Sequence, residues 1–257
     1  MCLIAFAWQT HAEFPLVVAA NRDEWRDRPA APAHWWSGRP DLLAGRDLQA
    51  GGTWLGVTRT GRFAAITNFR DPAERDSGKP SRGALVVDYL MGGASPREFL
   101  SALAPTAPRY NAFNLLLGDS ETLCYFGSRE GDIIDVPPGV HALSNHSLDE
   151  PWPKVIRAKA GVEHLLASGW SDGGLQPFFD VVSDTTHVAD EHLPDTGVGI
   201  GFERVLAPIL IRGERYGTRC STVVAFGRDG HAQFEERTRG TDGAVTGTER
   251  FAFSSVR

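Results

Sequence analysis

MCLIAFAW (1–8) and VVAANRDEW (17–25) are two apolar runs separated by the polar QTHAE (9–13). Runs of this length and composition on either side of a short polar segment predict a hairpin, with strands over 2–9 and 14–20. A turn centred on His11-Ala12 sets Cys2 opposite Asn21 by antiparallel pairing. The polar run Asn21-Arg22-Asp23-Glu24 then lies in space beside the second residue of the chain. On the first strand the even positions (Cys2, Ile4, Phe6, Trp8) and the odd positions (Leu3, Ala5, Ala7) are both apolar. A strand that is apolar on both faces is covered on both faces. The hairpin therefore belongs in the middle of a layered structure.

Outward from this hairpin the chain alternates short strands, Gly-rich turns and clustered helices. GGTWLGVTRTGRFAAITNF (51–69) reads as a second hairpin, with strands near 53–58 and 62–68 turned by Arg59-Thr60-Gly61. Helices are expected over 81–90 and 95–103, the second opened by a capping box of Ser95 and Glu98 with Pro96 in its first turn. Strands follow over 111–119, 122–128, 131–136 and 141–145. A helix over 152–168 and a weaker one over 175–183 precede strands over 219–226, 231–239 and 246–253. No tandem repeat, low-complexity segment or long linker interrupts the pattern, so one domain over 1–257 is expected. Antiparallel strands with helices grouped between them suggest an α+β fold of two sheets covered by helices.

Composition excludes several function classes. The 257 residues are 42% apolar and 23% charged, with a net charge of -6. Lys and Arg are scattered, which argues against a nucleic-acid surface. No run approaches the ~20 apolar residues of a spanning helix, so no stable membrane insertion is expected. Three cysteines, at 2, 124 and 220, are too few for a disulfide framework. MCLIAFAWQTHAEF carries no Lys or Arg and so lacks the basic start of a secretory signal. These features predict a cytoplasmic protein that handles a small molecule. No phosphate loop or dinucleotide fingerprint is present, and no cofactor or metal is expected.

Cys2 has two readings. It is a small buried hydrophobe at the start of a strand, or it becomes the first residue when the initiator methionine is removed. Removal leaves an α-amine and a thiol on one residue, with ordinary pKa values close enough that proton transfer between them costs about 1 kcal/mol. Nucleophile and general base then share a residue, as in N-terminal threonine nucleophiles.

ANRDEW, GRDLQAGGTWLGV, AITNFRD, ALSNHSLDEPWPKV and YGTRCSTVV, together with the opening MC, resemble the NRDE family, whose eukaryotic members are called transport and Golgi organisation proteins. More distantly the chain is similar to N-terminal-nucleophile hydrolases of the choloylglycine and penicillin-acylase type. The resemblance implies a four-layer αββα sandwich of two mainly antiparallel sheets. It also implies an N-terminal cysteine that cleaves a linear amide through an acyl-cysteine intermediate. In the tetrad begun by Asn21, it makes Arg22 and Asp23 candidates for an arginine and for the carboxylate that holds the α-amine, with Glu24 an alternative carboxylate. Asn145 matches an oxyanion donor at a strand end and Asn68 a second such asparagine. Arg219 matches a late arginine near the thiolate. Arg22 or Arg219 would then lower the thiol's pKa. Taken alone, each asparagine could equally be a turn former, and Arg219 an ordinary ion-pair partner.

Other features weigh less. Gly51-Gly52-Thr53-Trp54 reads as a pocket wall or as a bulge entering a strand. Trp25, Trp35, Trp36 and Trp54 line an apolar pocket or fill the core. Cys124 and Cys220 read as buried and inert. His187 and His192, in DTTHVADEHLPD (184–195), read as part of a solvated loop rather than as metal ligands. The competing function is a binding or trafficking protein that keeps the same pocket for an apolar ligand, such as a lipid acyl chain or haem.

Overall fold

A computed structural model of the chain describes residues 2–74, 78–171 and 174–254. The opening hairpin forms from β1 (Cys2–Trp8) and β2 (Leu16–Trp25). Next come β3 (Ala30–Trp36), β4 (Arg39–Asp47), β5 (Leu55–Thr58) and β6 (Phe63–Asn68), followed by helices α1 (Gly83–Met91) and α2 (Pro96–Leu103). Strands β7 (Phe113–Gly118), β8 (Leu123–Gly127), β9 (Ile133–Asp135) and β10 (Gly139–Leu143) lead to α3 (Pro153–Ala167), α4 (Gln176–Val181) and α5 (Ile200–Leu206). The described chain closes with β11 (Tyr216–Phe226), β12 (His231–Arg239) and β13 (Val245–Ser254).

Two antiparallel sheets result, ordered β10-β1-β2-β11-β12-β13 and β3-β4-β5-β6-β7-β8-β9. They stack face to face, with α3 and α4 against the first and α1 and α2 against the second. This is the four-layer αββα sandwich. The dual apolarity of β1 explains the layering. Its even residues Cys2, Ile4, Phe6 and Trp8 join the core between the sheets. Its odd residues Leu3, Ala5 and Ala7 pack under Trp152, Val155 and Phe178 of the α3–α4 layer. The capping box at α2 forms, with Ser95 accepting from the Glu98 amide and Glu98 reaching back to the Ser95 amide.

Three expectations are corrected. The register of the first hairpin is one residue off: Cys2 faces Arg22, and Leu3 faces Asn21. The connection runs over residues 9–15, closed by the Gln9 amide on the Pro15 carbonyl and centred on Ala12. A one-residue slip exchanges the two faces of a strand. Strand β2 also continues through the polar tetrad to Trp25, because β11 pairs with it along its whole length. Finally, β3 and β4 were not expected. Prolines 29, 32 and 40 and the flanking charges break their alternation, and β3 tolerates Pro32 because it is an edge strand with a bulge there.

Candidate active site

At the ends of β1 and β2 the sheets part around a cavity of about 1010 Å³. One rung of the first sheet forms part of its wall: Cys2 pairs with Arg22, Arg22 with Cys220, and Cys220 with Thr238, and all four line the cavity. Residues paired directly across neighbouring strands share a face, so this row follows from the register. Six sequence-nominated residues line the space: Cys2, Arg22, Asp23, Glu24, Asn68 and Arg219. Asn21 and Asn145 do not.

Asn21 belongs to the opposite face of β2. Its Nδ2 donates to the carbonyls of Val182 at 2.8 Å and Ile209 at 2.9 Å, and its Oδ1 accepts from Ser221 Oγ at 2.7 Å. It is a strut tying β2 to the segments around α4 and before β11. Arg22 turns to the cavity and lies 3.8 Å from Asp47, which also pairs with Arg28 at 2.7 Å. Arg219 is the extra residue of a bulge between Thr218 and Cys220, where it donates to the carbonyls of Trp25 at 2.7 Å and Arg28 at 2.9 Å.

The two candidate carboxylates differ in setting. Glu24 is partly exposed and sits 4.0 Å from Arg28. Asp23 is 1% exposed, and its Oδ1 accepts from Thr218 Oγ1 at 2.7 Å. Burial raises the Asp23 pKa, and Lys154 is the strongest opposite charge holding it down.

Burial also pushes the Cys2 thiol up. The Asp23 carboxylate adds to this rise, while Arg22 and the Asp23 amide oppose it. The expected lowering by arginine is therefore outweighed: a charge in water-poor surroundings costs more than one nearby cation returns. In this state the thiol carries its proton. Cys220 is likewise raised by burial, yet it is half-buried on the cavity wall rather than sealed in the core. Cys124 is sealed in and pushed up to about 12, by burial and by Asp135.

The asparagines divide their work. Asn68 ends β6 on the cavity wall. Asn145 lies behind it, fully buried, with Nδ2 donating to the Asn68 carbonyl at 2.9 Å and its own carbonyl accepting from the Arg70 amide at 2.7 Å. The preceding Ser144 donates to the Cys2 carbonyl at 3.2 Å, so the end of β10 is stitched to the start of β1.

Sequence reasoning missed a buried charged group at this wall: Arg70 (7% exposed), which lines the cavity, and behind it Lys154 (3%) and Glu203 (2%). Arg70 Nη1 meets Glu203 Oε2 at 2.6 Å and stacks over Trp152, with its guanidinium carbon 4.5 Å from the ring centroid. Lys154 Nζ donates to the Leu206 carbonyl at 3.1 Å. The signal was present as a lysine in the first turn of α3, within PWPKV, but a lysine on a helix ordinarily reads as solvated. Of the four tryptophans singled out, Trp25 and Trp54 line the cavity, while Trp36 is a core residue whose Nε1 donates to Ala44. Gly52 walls the cavity, and a side chain there would collide with the Gly83 carbonyl at 2.6 Å. Both His187 and His192 are exposed, and no group of three or more metal-ligating side chains occurs among the described residues. No helix among the described residues is long and apolar enough to cross a membrane.

Comparison with known proteins places this geometry in context. The family model described as Transport and Golgi organisation 2 matches residues 1–241. The Transport and Golgi organization protein 2 homolog of Homo sapiens is 33% identical over 259 residues, covering 93% of each chain. That of Bos taurus is 32% identical over 261 residues, again covering 93% of each. Among solved structures, a mutant of the conjugated bile acid hydrolase from Clostridium perfringens superposes with a TM-score of 0.54 at 11% identity, covering 99% of this chain and 92% of that one. A second variant of that hydrolase gives 0.52 at 11% identity, with 99% and 98% covered. At such low identity the likeness is one of fold, that of the N-terminal-nucleophile hydrolases.

Proposed function

The chain belongs to the Transport and Golgi organisation 2 family and has the N-terminal-nucleophile hydrolase fold, and on that premise we propose that it cleaves a linear amide with Cys2 as nucleophile. The observation that carries this reading is the position of Cys2: first residue of a central strand, on the wall of a large cavity and paired across the sheet with Arg22. Met1 lies outside the described residues; in the proposed mature enzyme it is gone. The amine freed on Cys2 accepts the thiol proton, and sulfur attacks the amide carbonyl carbon. The tetrahedral oxyanion takes a hydrogen bond from the Asn68 side chain, which Asn145 holds in place through the Asn68 carbonyl. The protonated amine then donates to the leaving nitrogen as the C–N bond breaks. Water, deprotonated by the same amine, hydrolyses the thioester and restores the thiol. Asp23, buried beside Cys2, is the better candidate than Glu24 to hold the amine, because Glu24 sits with Arg28. Arg22 and Arg219 supply positive charge to the cavity, and Asn21 serves as scaffold.

A ligand carrier is the second reading, favoured by the aromatic part of the wall formed by Trp25, Trp54, Phe69 and Phe202 and by the protonated thiol of the intact chain. Intact mass of protein from the native organism separates the two. The hydrolase reading expects loss of Met1, and turnover of some member of a panel of N-acyl amino acids, lactams and acyl thioesters that Cys2→Ala abolishes. Retention of Met1 in most molecules overturns the hydrolase and leaves the carrier.

A further inference from the structure

Two buried charges of opposite sign face the cavity without meeting each other. Arg22 is 8% exposed and Glu236 4%, and both line the cavity on the same face of the first sheet. The register sets them on either side of Cys220. Arg22 pairs with Cys220 across β2 and β11, and Thr222, two residues on, pairs with Glu236 across β11 and β12. Cys220 and Glu236 are thus diagonal neighbours, a spacing of about 7–8 Å. The ion pair of Arg22 is with Asp47, and Glu236 has none with any described residue.

Each of the two has hydrogen-bonding capacity left over. A carboxylate offers four acceptor positions. Those of Asp47 are all taken: Arg28 Nε and Nη2 meet Oδ2, both at 2.7 Å, and the Gln49 and Ala50 amides meet Oδ1, both at 3.0 Å. Asp47 therefore answers Arg22 with charge alone, at 3.8 Å, and the Arg22 guanidinium donates no hydrogen bond to a described residue. Glu236 accepts from the Ala33 amide on Oε1 at 2.8 Å and from Thr222 Oγ1 on Oε2 at 3.3 Å, which leaves a position on each oxygen. The Cys220 thiol beside it is only a weak donor. Other cations of the wall are engaged: Arg28 by Asp47, Arg70 by Glu203 and Arg219 by two carbonyls. A buried charge with unfilled hydrogen bonds is costly, and a ligand that fills them removes the cost.

We propose that Arg22 and Glu236 form a subsite for a zwitterionic head group over Cys220, the guanidinium taking a carboxylate and the Glu236 carboxylate an ammonium. The class of ligand is a free α-amino acid or a larger molecule that ends in one. A lone carboxylate would leave Glu236 unanswered, and a lone amine would leave Arg22 unanswered. Burial raises the Glu236 pKa while Arg22 opposes the rise. A bound ammonium opposes it further, so the ligand also holds the carboxylate in its charged form. The subsite is the same whether Cys2 cleaves an amide or the cavity carries a ligand.

The probes are L-phenylalanine, 3-phenylpropionate and 2-phenylethylammonium, which share a skeleton and carry both charges, the carboxylate alone and the ammonium alone. Their dissociation constants are read by ligand-observed NMR titration of the full chain at neutral pH. None of them contains an amide, so the result is independent of amide cleavage. Phenylalanine is expected to bind about 10–100-fold more tightly than either analogue, the usual gain from a hydrogen bond to a charged group. Arg22→Met should erase its advantage over phenylethylammonium, and Glu236→Gln its advantage over phenylpropionate. Bound phenylalanine should also slow iodoacetamide labelling of Cys220. Equal affinities for the three probes in wild type, or no binding at all, overturn the proposal without recourse to any variant. A variant that weakens all three probes alike overturns it as well, because the loss then follows no charge of the ligand.

Discussion

At Cys2, burial holds the proton on sulfur while Arg22 and the Asp23 amide pull the other way. An amine produced at the same residue resolves that opposition without changing any neighbour. The carbonyl of a bound amide would face the end of β6, where Asn68 stands on the wall and Asn145 stands behind it. Asn68→Ala should therefore lower turnover by about 10²–10³, or about 3–4 kcal/mol, with Cys2 labelling and the melting temperature nearly unchanged. Wild-type turnover in Asn68→Ala would remove it from the oxyanion site. Cys2, Arg22 and Asp23 were legible as candidates, Cys2 as the second residue of the chain at the head of an apolar strand and the other two as part of a short polar run that closes its partner strand. Which asparagine meets the cavity was not, since both read as strand ends and only the docking of the β10–α3 connection against the end of β6 ranks them.

The connection from β10 to α3 carries Asn145, and it depends on Asp149. This residue takes the left-handed conformation (φ 60°), accepts from the Ala142 amide at 2.9 Å and pairs with His141 at 2.7 Å and Lys159 at 2.8 Å. Burial pushes the Asp149 pKa up, but hydrogen bonds from His141, Lys159 and Ala142 outweigh it and hold the carboxyl at about 2, below the ordinary 3.8. A carboxyl held low in the folded state stabilises above its ordinary pKa, and that stability is lost as pH falls through the folded value. Denaturant melts should thus lose about 1–2 kcal/mol between pH ~4 and pH ~2 through this residue. Asp149→Asn should flatten that decline while lowering stability at pH 7; an unchanged decline in the variant would assign it to other carboxyls. Here the sequence announced a strand end and a helix start, and the tie between them depended on contacts seven to ten residues apart.

Across the whole molecule, the segment from α4 to β11 is fastened by Arg70 to Glu203 at 2.6 Å, by Glu203 to Thr196 at 2.5 Å and by Lys154 to the Leu206 carbonyl at 3.1 Å. Arg70→Met leaves Glu203 charged and buried, which should cost about 3–5 kcal/mol in chemical denaturation. Removing both charges in Arg70→Met/Glu203→Leu should recover most of that loss, because the penalty lies in the unpaired ion. A double variant no more stable than the single one would show that the pair's geometry, and not its charge balance, matters.

Local chemistry was enough for the layered, mainly antiparallel plan. Two-faced apolar strands demand cover on both sides, and capping residues and turn glycines mark where elements begin and end. It was also enough to nominate Cys2 and the polar tetrad that ends β2. Tertiary structure alone set the one-residue register that turns Arg22 to the cavity and Asn21 away from it, since register depends on how a turn closes. It alone formed β3 and β4 from proline-broken sequence, because pairing partners supply what local pattern lacks. And it alone gathered Arg70 on the wall with Glu203 and Lys154 buried behind it: a charge becomes worth burying only where distant segments bring its partner.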